Sequence, residues 1–170
     1  MEPQCLDTLA VGAEFSGIYQ LNKLIDRNLH INAVDRAGDT GGTWYWNCYP
    51  EAFSELVSPS ARTDLKSYPW KSHYLQSPRI LAYLKHVVEM YDLWEHFQFN
   101  TKLLSAKWRE EKRSWTVTLS TDEVPKVEYL IMGLGLLLKT NIPKVPNMQD
   151  FQSQRYHTAR WPDGVDIKGR

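Results

Sequence analysis

"LAVGAEFSGIYQL", residues 9–21, is the stretch on which the fold turns. An apolar strand runs into Gly12, Gly17 follows five positions later, and a helical stripe begins at Ile18. That is the outline of a dinucleotide-binding turn, in which strand, glycine-rich loop and helix N-terminus cradle a diphosphate. The pattern asks for a further glycine between these two, where the backbone comes closest to the phosphates. Glu14 stands there instead. The stretch therefore points to a fold and raises a question about its cofactor.

Working outward, "TLAVGA" (8–13) reads as a first buried strand. "SGIYQLNKLIDRN" (16–28) carries Ile18, Leu21, Leu24 and Ile25 at helical spacing. "HINAVDRA" (30–37) reads as a second strand ending in the acid Asp35. Together they predict a β-α-β unit with parallel strands and a right-handed crossover. A Gly- and aromatic-rich loop follows, "GDTGGTWYWNCYPEAF" (38–53), then an irregular stretch over 56–75 broken by Pro59 and Pro69. "SPRILAYLKHVVEMYDLWEHF" (77–97) predicts one amphipathic helix that starts at Ser77 and Pro78. Residues 97–121 alternate and predict strands around the charged turn Arg109–Arg113. "YLIMGLGLLL" (129–138) is too short to span a bilayer and reads as a buried strand plus turn. The expected fold is α/β: a mostly parallel sheet with flanking helices and a small antiparallel insertion at about 98–125.

The 170 residues suffice for one domain or slightly more. Twenty basic residues balance twenty acidic ones, which argues against charge-driven binding to nucleic acid or to a membrane surface. Two cysteines, Cys5 and Cys48, make no disulfide framework and suggest a reducing compartment. The N-terminus lacks the pattern of a signal peptide, so a cytoplasmic protein is expected. No zinc spacing, nucleophile elbow or P-loop is present.

Three stretches together, "GAEFSGIYQL", "GDTGGTWYWNCYP" and "FQSQRYHTARWP", resemble the N-terminal part of the class B flavin monooxygenases, specifically the Baeyer–Villiger monooxygenases. The resemblance implies a three-layer Rossmann-like FAD-binding fold over residues 1–150 and a linker-like tail over 151–170. It implies that Gly12, Gly17, Asp35, Gly42, Thr43 and Trp44 would contact FAD if FAD is retained. Family members are much longer and carry a second glycine-rich turn for NADP soon after the "WP" motif. This chain stops at "DGVDIKGR", before that turn, so NADP binding and autonomous Baeyer–Villiger chemistry are not expected. Other positions depart from the family pattern. Cys48, Glu51 and Phe53 replace arginine, glycine and arginine, and Glu55 stands for an aspartate. Gly133, Leu134 and Gly135 replace the "ATG" turn. The linker fingerprint keeps Phe151, His157, Trp161 and Pro162, with Ser153 for its glycine.

A glutamate at position 14 opposes a diphosphate in two ways. Its side chain takes up room, and its charge repels at about 4 kcal/mol for charges ~4 Å apart at an effective dielectric of about 20. That is roughly a thousandfold in affinity, as an upper bound. The carboxylate could replace the phosphate at the helix N-terminus, or point outward from an altered turn. Asp35 reads either as a ribose acceptor or as a turn cap.

The leading expectation is a cofactor-free protein that performs acid/base isomerisation or cyclisation of a small apolar metabolite. Glu14, Glu51, Glu55 and His73 are the candidate proton-transfer groups. Trp44, Tyr45, Trp46, Asn47 and Tyr49 are the candidate pocket lining, although each ring alone reads equally as core. A retained FAD domain, half of a split oxygenase, and a non-catalytic binding module are the alternatives. Homodimerisation through the flank where an NADP domain would dock is expected.

Overall fold

The computed structural model describes residues 5–54, 68, 75–137, 139–162, 164–165 and 167–168. Strand β1 (Cys5–Val11), helix α1 (Phe15–Ile25) and β2 (Ile31–Val34) form the expected β-α-β unit. A one-turn helix α2 (Thr43–Trp46) interrupts the aromatic loop. Two short strands, β3 (Phe53–Ser54) and β4 (Leu75–Gln76), pair antiparallel ahead of α3 (Ser77–Met90). Then come β5 (Phe97–Gln98), β6 (Leu103–Arg109), β7 (Ser114–Leu119) and β8 (Lys126–Met132).

Among the described residues the main sheet has the order β5-β2-β1-β8-β7-β6. β5, β2, β1 and β8 run parallel, while β7 pairs antiparallel with β8 and with β6. The fold class is therefore α/β, with the antiparallel insertion where the sequence places it. Register sets up the site. Val11 lies opposite Val34 on one side and Met132 on the other. Three strands thus end at one level, and the residues just beyond them, 12–14, 35–36 and 133–134, converge there.

Helices α1 and α3 cover one face of the sheet. Ile80, Tyr83, Leu84, Val87 and Val88 repeat at three- and four-residue spacing and pack on Ile18, Leu21, Ile31 and Ala33. Truncating a fully buried leucine such as Leu84 to alanine costs about 2–5 kcal/mol in such a core. A second cluster joins Leu9, Val11 and Val34 to Val117 and Leu119 of the insertion.

Two expectations need correction. The helix over 77–97 ends at Met90. Asp92 takes a left-handed φ of 52°, and the Leu93 amide donates back to the Val88 carbonyl at 2.9 Å. This closes the helix as a glycine usually does, and it turns Leu93 into the core, where it is 2% exposed. Residues 94–96 form a 3₁₀ turn leading into β5. The stretch 129–138 is not a buried strand: Tyr129 is 61% and Leu136 is 98% exposed. Its neighbours β1 and β7 pair with β8 edge to edge, but no described helix covers Tyr129.

Candidate functional site

Gly12 leaves β1 at a φ of 115°, a conformation side chains avoid. A Cβ there would strike the Gly133 carbonyl, and one on Gly17 would strike the Gly12 carbonyl. These two glycines let strand, helix and the turn after β8 touch backbone to backbone. The Gly133 amide donates to the Val11 carbonyl at 2.8 Å and completes that contact.

Between them, Ala13 is held from both sides. Its amide donates to Asp35 Oδ2 at 2.7 Å, while Oδ1 accepts from the Ala37 amide at 2.8 Å. The Ala13 carbonyl accepts from Thr40 Oγ1 at 2.7 Å and from the Gly41 amide at 2.9 Å. Asp35 therefore acts as a clamp between the two βα segments, the turn-capping reading of the sequence. The loop over 38–43 lies across the first turn, with Thr40 fully buried.

Glu14 extends from this turn toward the same loop. Its Oε2 accepts from both the Thr43 amide and Thr43 Oγ1, each at 3.1 Å. The carboxylate lies against Gly42, where a Cβ would collide with it. The expectation that Glu14 caps its own helix is corrected: it makes no side-chain hydrogen bond to the start of α1. The two donors of Thr43 form an anion cradle, and the chain fills that cradle with its own acid. Oε1 accepts no hydrogen bond among the described residues. Burial raises the Glu14 pKa above its ordinary value. The Thr43 amide and hydroxyl oppose that rise, and the charge of Asp35 adds to it.

Beside this group lies an inner cavity of about 440 Å³. Glu14, Asp35, Arg36 and Lys102 supply the charged part of its lining. Leu103, Leu104, Met132 and Leu134 are among its apolar walls. The cavity sits outside the carboxyl ends of β1, β2 and β8, where ligands bind in open α/β sheets.

The other sequence candidates scatter. Trp46 lines the cavity, Trp44 packs against the helix-side core, and Tyr45 stacks edge-on against Trp46 at 4.9 Å. The Asn47 side chain donates to the Thr43 carbonyl at 2.8 Å, holding α2. Tyr49 is half-buried and lines no cavity named here. Glu51 is exposed, at a left-handed φ of 62°, and also lies outside the cavity lining. Glu55 and His73 fall outside the described residues. His157 accepts from the Ala159 amide through Nδ1 at 3.1 Å, a structural role. Lys102 was not legible as a site residue, because nothing in its local sequence marks the crossing into β6. Among the described residues no group of three metal-ligating side chains occurs, and no helix is long and apolar enough to cross a membrane.

Comparison with known proteins gives this geometry relatives. The flavin-binding monooxygenase-like family matches residues 7–169. A Baeyer-Villiger monooxygenase of Pseudooceanicola batsensis is 38% identical over 170 residues, which is 96% of this chain and 31% of the relative. A cyclohexanone 1,2-monooxygenase of Acinetobacter sp. is 36% identical, with 96% of this chain and 31% of the relative covered. The crystal structure of cyclohexanone monooxygenase from Rhodococcus sp. Phi1 bound to NADP+ superposes with a TM-score of 0.87 at 37% identity. That match covers 98% of this chain and 32% of the solved one. The chain thus spans about a third of the length of these relatives.

A flavin dinucleotide is the cofactor this fold implies, and the residues in the turn do not fit it as they stand. Gly12 and Gly17 keep the backbone path, but Glu14 stands where such a turn asks for a glycine, and its carboxylate occupies the Thr43 donors and lies against Gly42. The Ala13 amide is likewise committed to Asp35. On sequence and on fold, the chain belongs to the flavin-binding monooxygenase-like family.

Proposed function

We propose that the chain is a cofactor-free acid/base protein that uses the inner cavity to bind a small, largely apolar molecule and shift a proton on it. The observation that carries this reading is the Glu14 carboxyl, tied through one oxygen to Thr43 and lining an apolar cavity with the other oxygen unbonded. A carboxyl with a raised pKa keeps a proton at a higher pH than an ordinary glutamate does. In a proton shift, Glu14 gives that proton to one atom of the substrate. The resulting carboxylate then takes a proton from a neighbouring atom, so the enzyme ends as it began. Asp35, fixed by two backbone amides, lines the same cavity and adds a negative charge that favours the protonated acid.

A second reading, an FAD-binding lobe of a split oxygenase, is favoured by Gly12 and Gly17, which keep the turn, and by the flavin-binding family itself. One measurement separates the two. Purified protein should show no flavin absorption near 450 nm, release no FAD on denaturation, and gain no thermal stability in 1 mM FAD. Stoichiometric bound flavin would overturn the first reading and establish the second.

A further inference from the structure

Strand β8 is paired along its whole length on one side only. Toward β1 it stays in register from Cys5 opposite Lys126 to Val11 opposite Met132. Toward β7 it makes two pairs, Trp115 with Val127 and Thr116 with Lys126, and β7 itself begins at Ser114. Residues 128–132 therefore run on past the end of β7, and among the described residues no strand pairs with their outer edge. The backbone donors and acceptors that point away from β1 there form a template for one further strand. The side chains along this edge are apolar on both faces of the sheet. Ile131 packs on the helix-side cluster and Leu130 on the insertion-side cluster, each only partly buried. Tyr129 shares the face of Ile131, Met132 shares that of Leu130, and both are exposed. Leu134, Leu136 and Leu137, also exposed, continue the apolar surface just beyond the strand.

The outer strands of the main sheet are built differently. β5 has only two residues, and β6 carries Lys107 and Arg109, both exposed, a charged edge of the kind that resists pairing. Residues 128–132 carry a single charge, on Glu128. We propose that this edge pairs with the same edge of a second copy of the chain, antiparallel about a two-fold axis through Leu130. The stretch is self-complementary in that register, which uses all of its residues. Tyr129 lies opposite the partner's Ile131, Leu130 opposite the partner's Leu130, and Glu128 opposite the partner's Met132. Apolar side chains thus meet apolar side chains, and the two Glu128 carboxylates stand at opposite ends of the contact. A two-fold contact of this kind consumes both open edges at once, so it closes at a dimer. It joins the two parallel arrays into one continuous sheet, flanked by the exposed leucines at 134, 136 and 137. Met132 is also a wall of the inner cavity, so pairing sets the partner's Glu128 beside that wall. The dimer stands or falls independently of the proton-transfer reading.

The test is analytical ultracentrifugation of the full chain at physiological salt, from about 1 µM to about 100 µM. The parent should follow a monomer–dimer equilibrium with no larger species. Tyr129→Lys changes an exposed side chain, so its circular dichroism should match that of the parent, while its dimer dissociation constant should rise by roughly tenfold or more. Trp108→Lys, on the β6 edge, should leave the dissociation constant unchanged. Hydrogen exchange of the parent needs no variant: backbone amides within 128–132 should exchange more slowly at the high concentration than at the low one, and those within 103–109 at the same rate. A parent that stays monomeric at the highest concentration, with 128–132 exchanging equally fast throughout, would overturn the proposal and leave that edge to a strand from a different protein. A dimer that Tyr129→Lys does not weaken would also overturn it. So would a dimer weakened by Trp108→Lys with slowed exchange confined to 103–109, which would move the interface to β6.

Discussion

Gly12 and Gly17 stand two and three residues from Glu14, yet the two kinds of position answer to different forces. The glycines are fixed by contacts inside the fold: a Cβ on either would strike a backbone carbonyl. Residue 14 meets no such wall. It faces a loop and a cavity, and there a glutamate fits with both Thr43 donors satisfied. The comparison separates what a dinucleotide turn needs in order to fold from what it needs in order to hold a dinucleotide. This chain keeps the first requirement and carries a glutamate where the second asks for a glycine.

The strongest way to break that separation is Gly17→Ala. The added methyl group would meet the Gly12 carbonyl, and backbone rather than a flexible side chain would have to move. Stability should fall by about 3 kcal/mol, read as the shift in a urea unfolding curve at unchanged slope. A loss below about 1 kcal/mol would mean that helix and strand approach less tightly than the structure has them, and the contrast with residue 14 would lose its basis.

The next effect tests the other half. Glu14→Gly should leave the fold intact and raise affinity for ADP, a diphosphate probe, by at least tenfold, with roughly a thousandfold as the ceiling set by charge repulsion. Glu14→Gln should gain less, because its amide oxygen can still accept from Thr43 and keep the cradle filled. If glutamine gains as much as glycine, charge alone excludes the diphosphate. If neither variant gains, the commitment of the Ala13 amide to Asp35, not Glu14, is what closes the turn.

Much of the fold is legible in the sequence. The β-α-β unit follows from the spacing of Ile18, Leu21 and Leu24 between two apolar runs, because local pattern and tertiary burial agree there. The hairpin over 103–119 follows from alternation around a charged turn. The end of α3 was not legible, since Asp92 adopts a left-handed conformation without the glycine that normally announces one. Exposure along β8 was also hidden. An apolar central strand reads as covered on both faces, whereas Tyr129 lies beyond the reach of α1 and α3. For the site, the sequence singled out Glu14 as a substitution but not its destination. Thr43 lies 29 residues along, and the bond between them depends on how the loop over 38–43 folds back. Lys102 joins Glu14 and Asp35 in the cavity lining only through the ends of distant elements, and no local spacing marks it.

The smallest expected effect concerns the pH dependence of the Glu14–Thr43 pair. Burial holds the Glu14 pKa above its unfolded value, so the native protein binds that proton more tightly than the unfolded chain does. The resulting stability is whole below the unfolded pKa and is lost as pH rises through the folded one. Both Thr43 donors act against this by favouring the ionised form. Thr43→Val removes the hydroxyl donor and keeps the amide, so ionised Glu14 loses one of its two hydrogen bonds. The variant should be less stable than the parent by about 1 kcal/mol at pH 8, with the difference narrowing toward pH 4 as the carboxyl takes up its proton. Glu14→Gln, which cannot ionise, should lack the fall in stability altogether and should make Thr43→Val independent of pH when the two are combined. Chemical unfolding at both pH values for the four proteins measures the coupling directly. A Thr43→Val loss that is the same at pH 4 and pH 8 would place Glu14 in one protonation state throughout that range, and the carboxyl would then have no proton to exchange with a ligand.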